Sequence, residues 1–135
     1  MLIVVNCLAT SESFPSIEIT SYTSFAAFSV ARTGSATDLV STYLLYQDAT
    51  GKINQVYATD NTTWHISQPS ALAEADNGTD IACLTMATID YDSSNEMVFL
   101  GTASGDNRCY YQRDGNIVEV KLDGTDWIEL TTLPE

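Results

Sequence analysis

Two stretches of this chain spell the same pattern, and that repetition leaves few folds open. Residues 43–64 read YLLYQDATGKINQVYATDNTTW and residues 108–127 read RCYYQRDGNIVEVKLDGTDW. Each runs through an aromatic-rich apolar segment, Tyr-Gln, a short Asp/Gly turn, Gly-x-Ile-x-(Gln/Glu)-Val, a turn opened by Asp, and a Trp. Tyr46-Gln47 answers Tyr111-Gln112, and Gly51-Lys52-Ile53 answers Gly115-Asn116-Ile117. The first turn differs in length by one residue, as hairpin loops commonly do. The second keeps its spacing, Asp60 to Trp64 and Asp123 to Trp127. A long-period repeat of this kind marks units that cannot bury an apolar face alone and must stack, as in propellers and solenoids.

The units themselves read as strands. In Lys52–Ala58, Ile53, Gln55 and Tyr57 fall on one face of a strand, and Asn54, Val56 and Ala58 on the other. Thr42–Gln47 and Trp64–Gln68 flank it as further strands. In the second repeat the strands are Arg108–Gln112, Asn116–Leu122 and Trp127–Thr131. Ser24–Ala31 and Ile81–Ile89 are apolar, small-sided runs suited to the inner strand of each unit. Leu2–Val5, Ile17–Thr20 and Met97–Leu100 add short strand candidates. Thr33–Asp38, Asp90–Glu96 and Gly101–Asn107 read as loops, Asn77-Gly78 is a turn signal, and Ser70–Ala75 has room for one helical turn. Short strands between turn signals predict an all-β chain. The expected domain is single, residues 1–135, with repeat 1 at about 24–69 and repeat 2 at about 80–133.

Composition narrows the function classes. With 44% hydrophobic residues the chain can build a core, and its net charge of −13 makes it a poor partner for nucleic-acid phosphates or anionic membranes. Cys7, Cys83 and Cys109 lack close spacing, so they read as buried thiols or at most one disulfide, and not as a zinc site. No run reaches the length of a membrane span. MLIVVN has no basic leader, so a cytoplasmic or non-classically secreted protein is favoured. Asn61-Thr62-Thr63 and Asn77-Gly78-Thr79 are glycosylation sequons that matter only on a secretory route.

The second repeat resembles a blade of the fungal fucose-specific lectins, whose fold is a six-bladed β-propeller. Arg108, Tyr110-Tyr111-Gln112, Gly115-Asn116-Ile117, Glu119, Asp123-Gly124 and Trp127 match the blade pattern. The first repeat matches the frame, but Tyr43 stands in place of Arg and Gln55 in place of Glu. Leu122 and Ala58 stand where the family often places an aromatic. The resemblance spans about residues 24–133 and implies antiparallel four-stranded blades: two here, with an N-terminal strand or partial blade. It also implies a carbohydrate site, with Arg108 and Glu119 bonding sugar hydroxyls and Trp127, Trp64 or Tyr110 packing on the apolar face of the sugar. Gln55 holds the matching position in repeat 1. Fucosylated glycans or other small sugars are the implied partners, with no cofactor, no metal and at most one full site per chain.

Catalysis is not expected. The single His65 has no nucleophile motif beside it. The Asp90, Asp92, Ser94, Asn95 series lacks the Gly and Glu a calcium loop needs. A glycosidase, for which two carboxylates suffice, is the enzyme alternative, but neither Asp…Trp pair completes the sialidase box, and Arg32, Arg108 and Arg113 do not readily assemble the arginine cluster a sialidase needs. Two blades cannot close a ring, so either chains associate into a homo-oligomer or this is a fragment of a longer propeller. The alternative function is a degenerate blade module that serves as a structural or protein-interaction surface without sugar binding.

Overall fold

The computed structural model describes residues 14–19, 23–31, 40–59, 63–85, 88–91, 97–100 and 107–134. Expectations that fall on Leu2–Val5, Cys7, Thr33–Asp38, Asp60, Asn61 and Asp92–Glu96 lie outside them. The described chain is all-β, with one short 3₁₀ turn at Ser70–Leu72 as its helical content.

Four strands, β1 (Phe25–Ala31), β2 (Val40–Gln47), β3 (Ile53–Ala58) and β4 (Trp64–Ser67), form an antiparallel sheet in chain order. The second sheet has the order β10-β9-β8-β5, from β5 (Ala82–Thr85), β8 (Asn107–Arg113), β9 (Asn116–Asp123) and β10 (Asp126–Leu133). Between β5 and β8 a separate two-stranded hairpin is inserted, β6 (Thr88–Tyr91) with β7 (Met97–Leu100).

Two sequence expectations change here. Ile81–Ile89 is not one inner strand: β5 pairs with β8, and β6 belongs to the inserted hairpin. Ile17–Ile19 forms no strand; it belongs to a segment whose Phe14 and Ile17 pack on Tyr46, Val56 and Trp64 and cover one face of the first sheet.

The hairpins follow from local chemistry. Asp114 and Gly115 both take positive φ, 53° and 72°, the conformation a two-residue turn needs to match strand twist. Asp76 holds that turn from outside, its Oδ1 and Oδ2 accepting the Asp114 and Gly115 amides at 2.8 and 2.9 Å. In the β2–β3 turn, Asp48 accepts from the Thr50 amide, the Thr50 hydroxyl and the Lys52 amide at Oδ1, and from Asn54 Nδ2 at Oδ2. Burial acts to raise its pKa, but these hydrogen bonds outweigh it and hold the carboxyl below the usual range.

The repeats keep one register. Tyr43 pairs with Tyr57 and Leu45 with Gln55 in the first sheet; Arg108 pairs with Lys121 and Tyr110 with Glu119 in the second. The two sheets pack face to face. Ala26, Phe28, Tyr43, Leu45 and Ile53 from one meet Cys109, Tyr111, Val118, Val120, Leu122 and Trp127 from the other, forming the main core. β1 runs against β5, and the Ser24 hydroxyl lies 3.2 Å from the Ile81 amide that donates to it. Gln47, fully buried, ties the β2 end to the connector. Its Nε2 donates to the Gly51 and Asp76 carbonyls at 2.7 and 2.8 Å, and its Oε1 accepts from the Gly78 amide at 2.8 Å.

Cys83 and Cys109 stand opposite each other on β5 and β8 and form a disulfide across a separation of 26 residues. The expectation of buried free thiols is thereby corrected for this pair. Closing a loop of that size restricts the unfolded chain, an effect worth about 3–4 kcal/mol in the chain-entropy treatment.

Candidate functional site

Strand alternation decides which of the candidate side chains can meet. On β8 the odd-numbered Cys109 and Tyr111 are buried in the core, so Arg108 and Tyr110 point to the outer face of the second sheet. On β9 Val118, Val120 and Leu122 face the core, so Glu119 and Lys121 join Arg108 and Tyr110 outside. There Arg108 Nη1 donates to Glu119 Oε1 at 2.7 Å, and the Tyr110 hydroxyl donates to the same oxygen at 2.9 Å. The Arg108 side chain is 36% exposed and that of Glu119 12%. The hydrogen bond to Glu119, helped by burial, raises the Tyr110 pKa and keeps the phenol a donor. An apolar rim surrounds this polar centre: Leu84 opposite Arg108, Ile128 opposite Lys121, and Ile117 and Leu133 opposite each other, all exposed.

Trp127 is not part of that cluster. It pairs with Leu122 and is buried, so it lies on the opposite face of the second sheet from Arg108 and Glu119. The expectation that Trp127 covers a sugar held by Arg108 and Glu119 of the same chain is corrected on this ground. Its indole reaches across to the first sheet. Nε1 donates to Gln55 Oε1 at 2.8 Å, and the ring meets Phe28 edge-on at 6.0 Å. Gln55 Nε2 in turn donates to the Ser67 hydroxyl at 2.9 Å. Trp64 takes a third location, on the other face of the first sheet, edge-on to Phe14 at 5.0 Å.

The six candidate residues therefore divide. Arg108, Tyr110 and Glu119 form an outer-face cluster, Gln55 and Trp127 form the floor of an inter-sheet cleft, and Trp64 stands apart. The cleft has a volume of about 390 Å³ and is walled also by Tyr57, Ser67, Ser70 and Asp126. Sequence reasoning did not single out Tyr57, Ser67 or Asp126 as site residues. Tyr57 shares the strand parity of Gln55, which was a usable signal; Ser67 and Asp126 reach the cleft through sheet packing that no local pattern encodes.

No protein family, curated protein or solved structure matches the chain.

The chemistry of the two places differs. The outer cluster offers a guanidinium, a carboxylate and a phenol within one hydrogen-bonded group, which suits vicinal hydroxyls that both donate and accept. The cleft offers amide and hydroxyl groups and the Asp126 carboxylate beside an indole edge. Among the described residues no group of three or more His, Cys, Asp or Glu side chains is arranged to hold a metal ion.

Proposed function

We propose that this protein is a non-catalytic carbohydrate-binding protein of the fucose-lectin type, its sheets acting as propeller-like blades. The observation that carries the reading is the Arg108–Glu119–Tyr110 cluster on the outer face of the second sheet, 2.7 and 2.9 Å between its members. Sugar hydroxyls would bond to Arg108 and Glu119, and the Tyr110 ring would line the apolar side of the ring. Catalysis has no part in the proposal, because the outer cluster has a single carboxylate at its centre.

The register of the repeats supports a second element of the proposal. Glu119 stands in the second sheet where Gln55 stands in the first, and Gln55 is overlain by Trp127 of the neighbouring sheet. The outer face of the second sheet is thus the counterpart of a face that is covered within the chain. Its exposed Leu84, Ile117, Ile128 and Leu133 fit burial under a further sheet. A second copy of the chain supplies that sheet and the missing wall of the sugar site. Size-exclusion chromatography with light scattering should then give a multiple of the 14.7 kDa chain mass. A strictly monomeric mass at working concentration removes the assembly from the proposal.

The direct test is a glycan array with and without competing L-fucose. Competable binding to fucosylated glycans is expected. Arg108→Ala should weaken it about 10- to 100-fold, the worth of a charged hydrogen bond, while the melting profile stays close to that of the parent. Unchanged glycan affinity in the folded variant would place any sugar site elsewhere, with the Gln55–Trp127 cleft the next to mutate. Absence of binding by folded protein would leave the outer face as an interaction surface without sugar.

A further inference from the structure

We infer that Asn77 is an N-glycan acceptor, and that the glycan is attached before the connector folds onto the sheets. Two independent features lead there. The first is the Cys83–Cys109 disulfide. Structural disulfides form and persist in oxidising compartments, where the chain would meet oligosaccharide transfer to asparagine. The paired cysteines speak for the secretory lumen. The second is the Asn77-Gly78-Thr79 sequon, which the fold presents with Asn77 exposed at the tip of a turn.

The fold places the Asn77 turn at the opposite end of β9 from the Gln55–Trp127 cleft. The Asn77 turn is anchored beside the β2–β3 and β8–β9 hairpin turns, through Gln47 to Gly78 and through Asp76 to Asp114 and Gly115. Thr125, Asp126 and Trp127 of the cleft lie at the far end of β9. Eight extended residues separate the two ends, roughly 24 Å. Gly78 takes φ 78°, a left-handed conformation that glycine adopts without strain.

The order of events follows from Thr79. Its hydroxyl is part of the acceptor signal, yet in the folded chain Thr79 is 1% exposed. Its Oγ1 accepts from the Gln112 amide at 2.7 Å and donates to the Asp80 carbonyl at 3.0 Å. A transferase that reads this hydroxyl must reach it while β8 is not yet paired against the connector. In the transfer, Asn77 Nδ2 attacks the anomeric carbon of a polyprenyl-pyrophosphate oligosaccharide. The C–N bond forms, the anomeric C–O bond to phosphate breaks, the lipid pyrophosphate leaves with the electron pair, and Nδ2 gives up one proton.

The test uses the full chain with a secretory leader, recovered from both medium and lumen of a eukaryotic cell. Peptide-N-glycosidase digestion in ¹⁸O water should convert residue 77 to labelled aspartate, read by peptide mass. Asn77→Gln should abolish that signal and leave the melting temperature of the protein within a few degrees. In a parallel arm, microsomal transferase should modify reduced, unfolded chain and leave oxidised, folded chain unmodified. Residue 77 recovered unlabelled from both fractions overturns the assignment. Equal modification of folded and unfolded chain overturns the order of events.

Discussion

Trp127→Ala should be among the most destabilising single changes in this protein, costing about 3–5 kcal/mol and lowering the melting temperature by roughly 10–20 °C. The indole is buried between the sheets, meets Phe28 at 6.0 Å and bonds Gln55 at 2.8 Å. Its truncation opens a cavity in the main core and leaves the buried Gln55 carbonyl without its donor. Trp127→Phe separates these effects. It keeps most of the apolar volume and removes the Nε1–H, so it should cost less, about 1–3 kcal/mol. If chemical denaturation gives both variants a parent-like midpoint, Trp127 does not bridge the sheets as described.

Gln47→Leu is the second large effect expected, about 3 kcal/mol or more. The substitution is close in volume and more apolar, and Gln47 is fully buried, so burial alone would favour it. Hydrogen bonding decides the sign. Leu leaves the Gly51 and Asp76 carbonyls and the Gly78 amide without the side chain that now joins them, at about 1–3 kcal/mol for each group that water does not reach. Hydrogen exchange gives the local readout, because the Gly78 amide should lose protection before the β3 and β9 amides do. A Gly78 amide exchanging at the parent rate, in a variant of parent stability, would sink the argument.

Much of the β-architecture was legible because turn chemistry and alternation are local. Asp114-Gly115 marks the β8–β9 hairpin, and once it is fixed, Arg108, Tyr110 and Glu119 must share a face. The same parity could have placed Trp127 correctly. Glu119 and Leu122 are three residues apart, hence on opposite faces, and the Gly124-Thr125 turn sets Trp127 against Leu122. Ile81–Ile89 failed for another reason. IACLTMATI has no Gly, Pro, Asn or Asp to mark an end, and β5 stops where its pairing with β8 stops, a long-range fact. The role of Gln47 was equally hidden, since its connector partners lie 29 and 31 residues downstream and Gln112 occupies the same repeat position.

The disulfide closes the base of the chain that carries the β6–β7 hairpin. Its two ends are β5 and β8, neighbours in the second sheet joined covalently at Cys83 and Cys109. The β5–β8 ladder is therefore complete without the hairpin. Lengthening a loop costs only about 0.6 kcal/mol for each doubling, and here both folded and unfolded chains carry the same cross-link. The cross-linked β5–β8 pair is thus a closed base onto which a peptide epitope or a second binding loop can be grafted while the sheets keep their register.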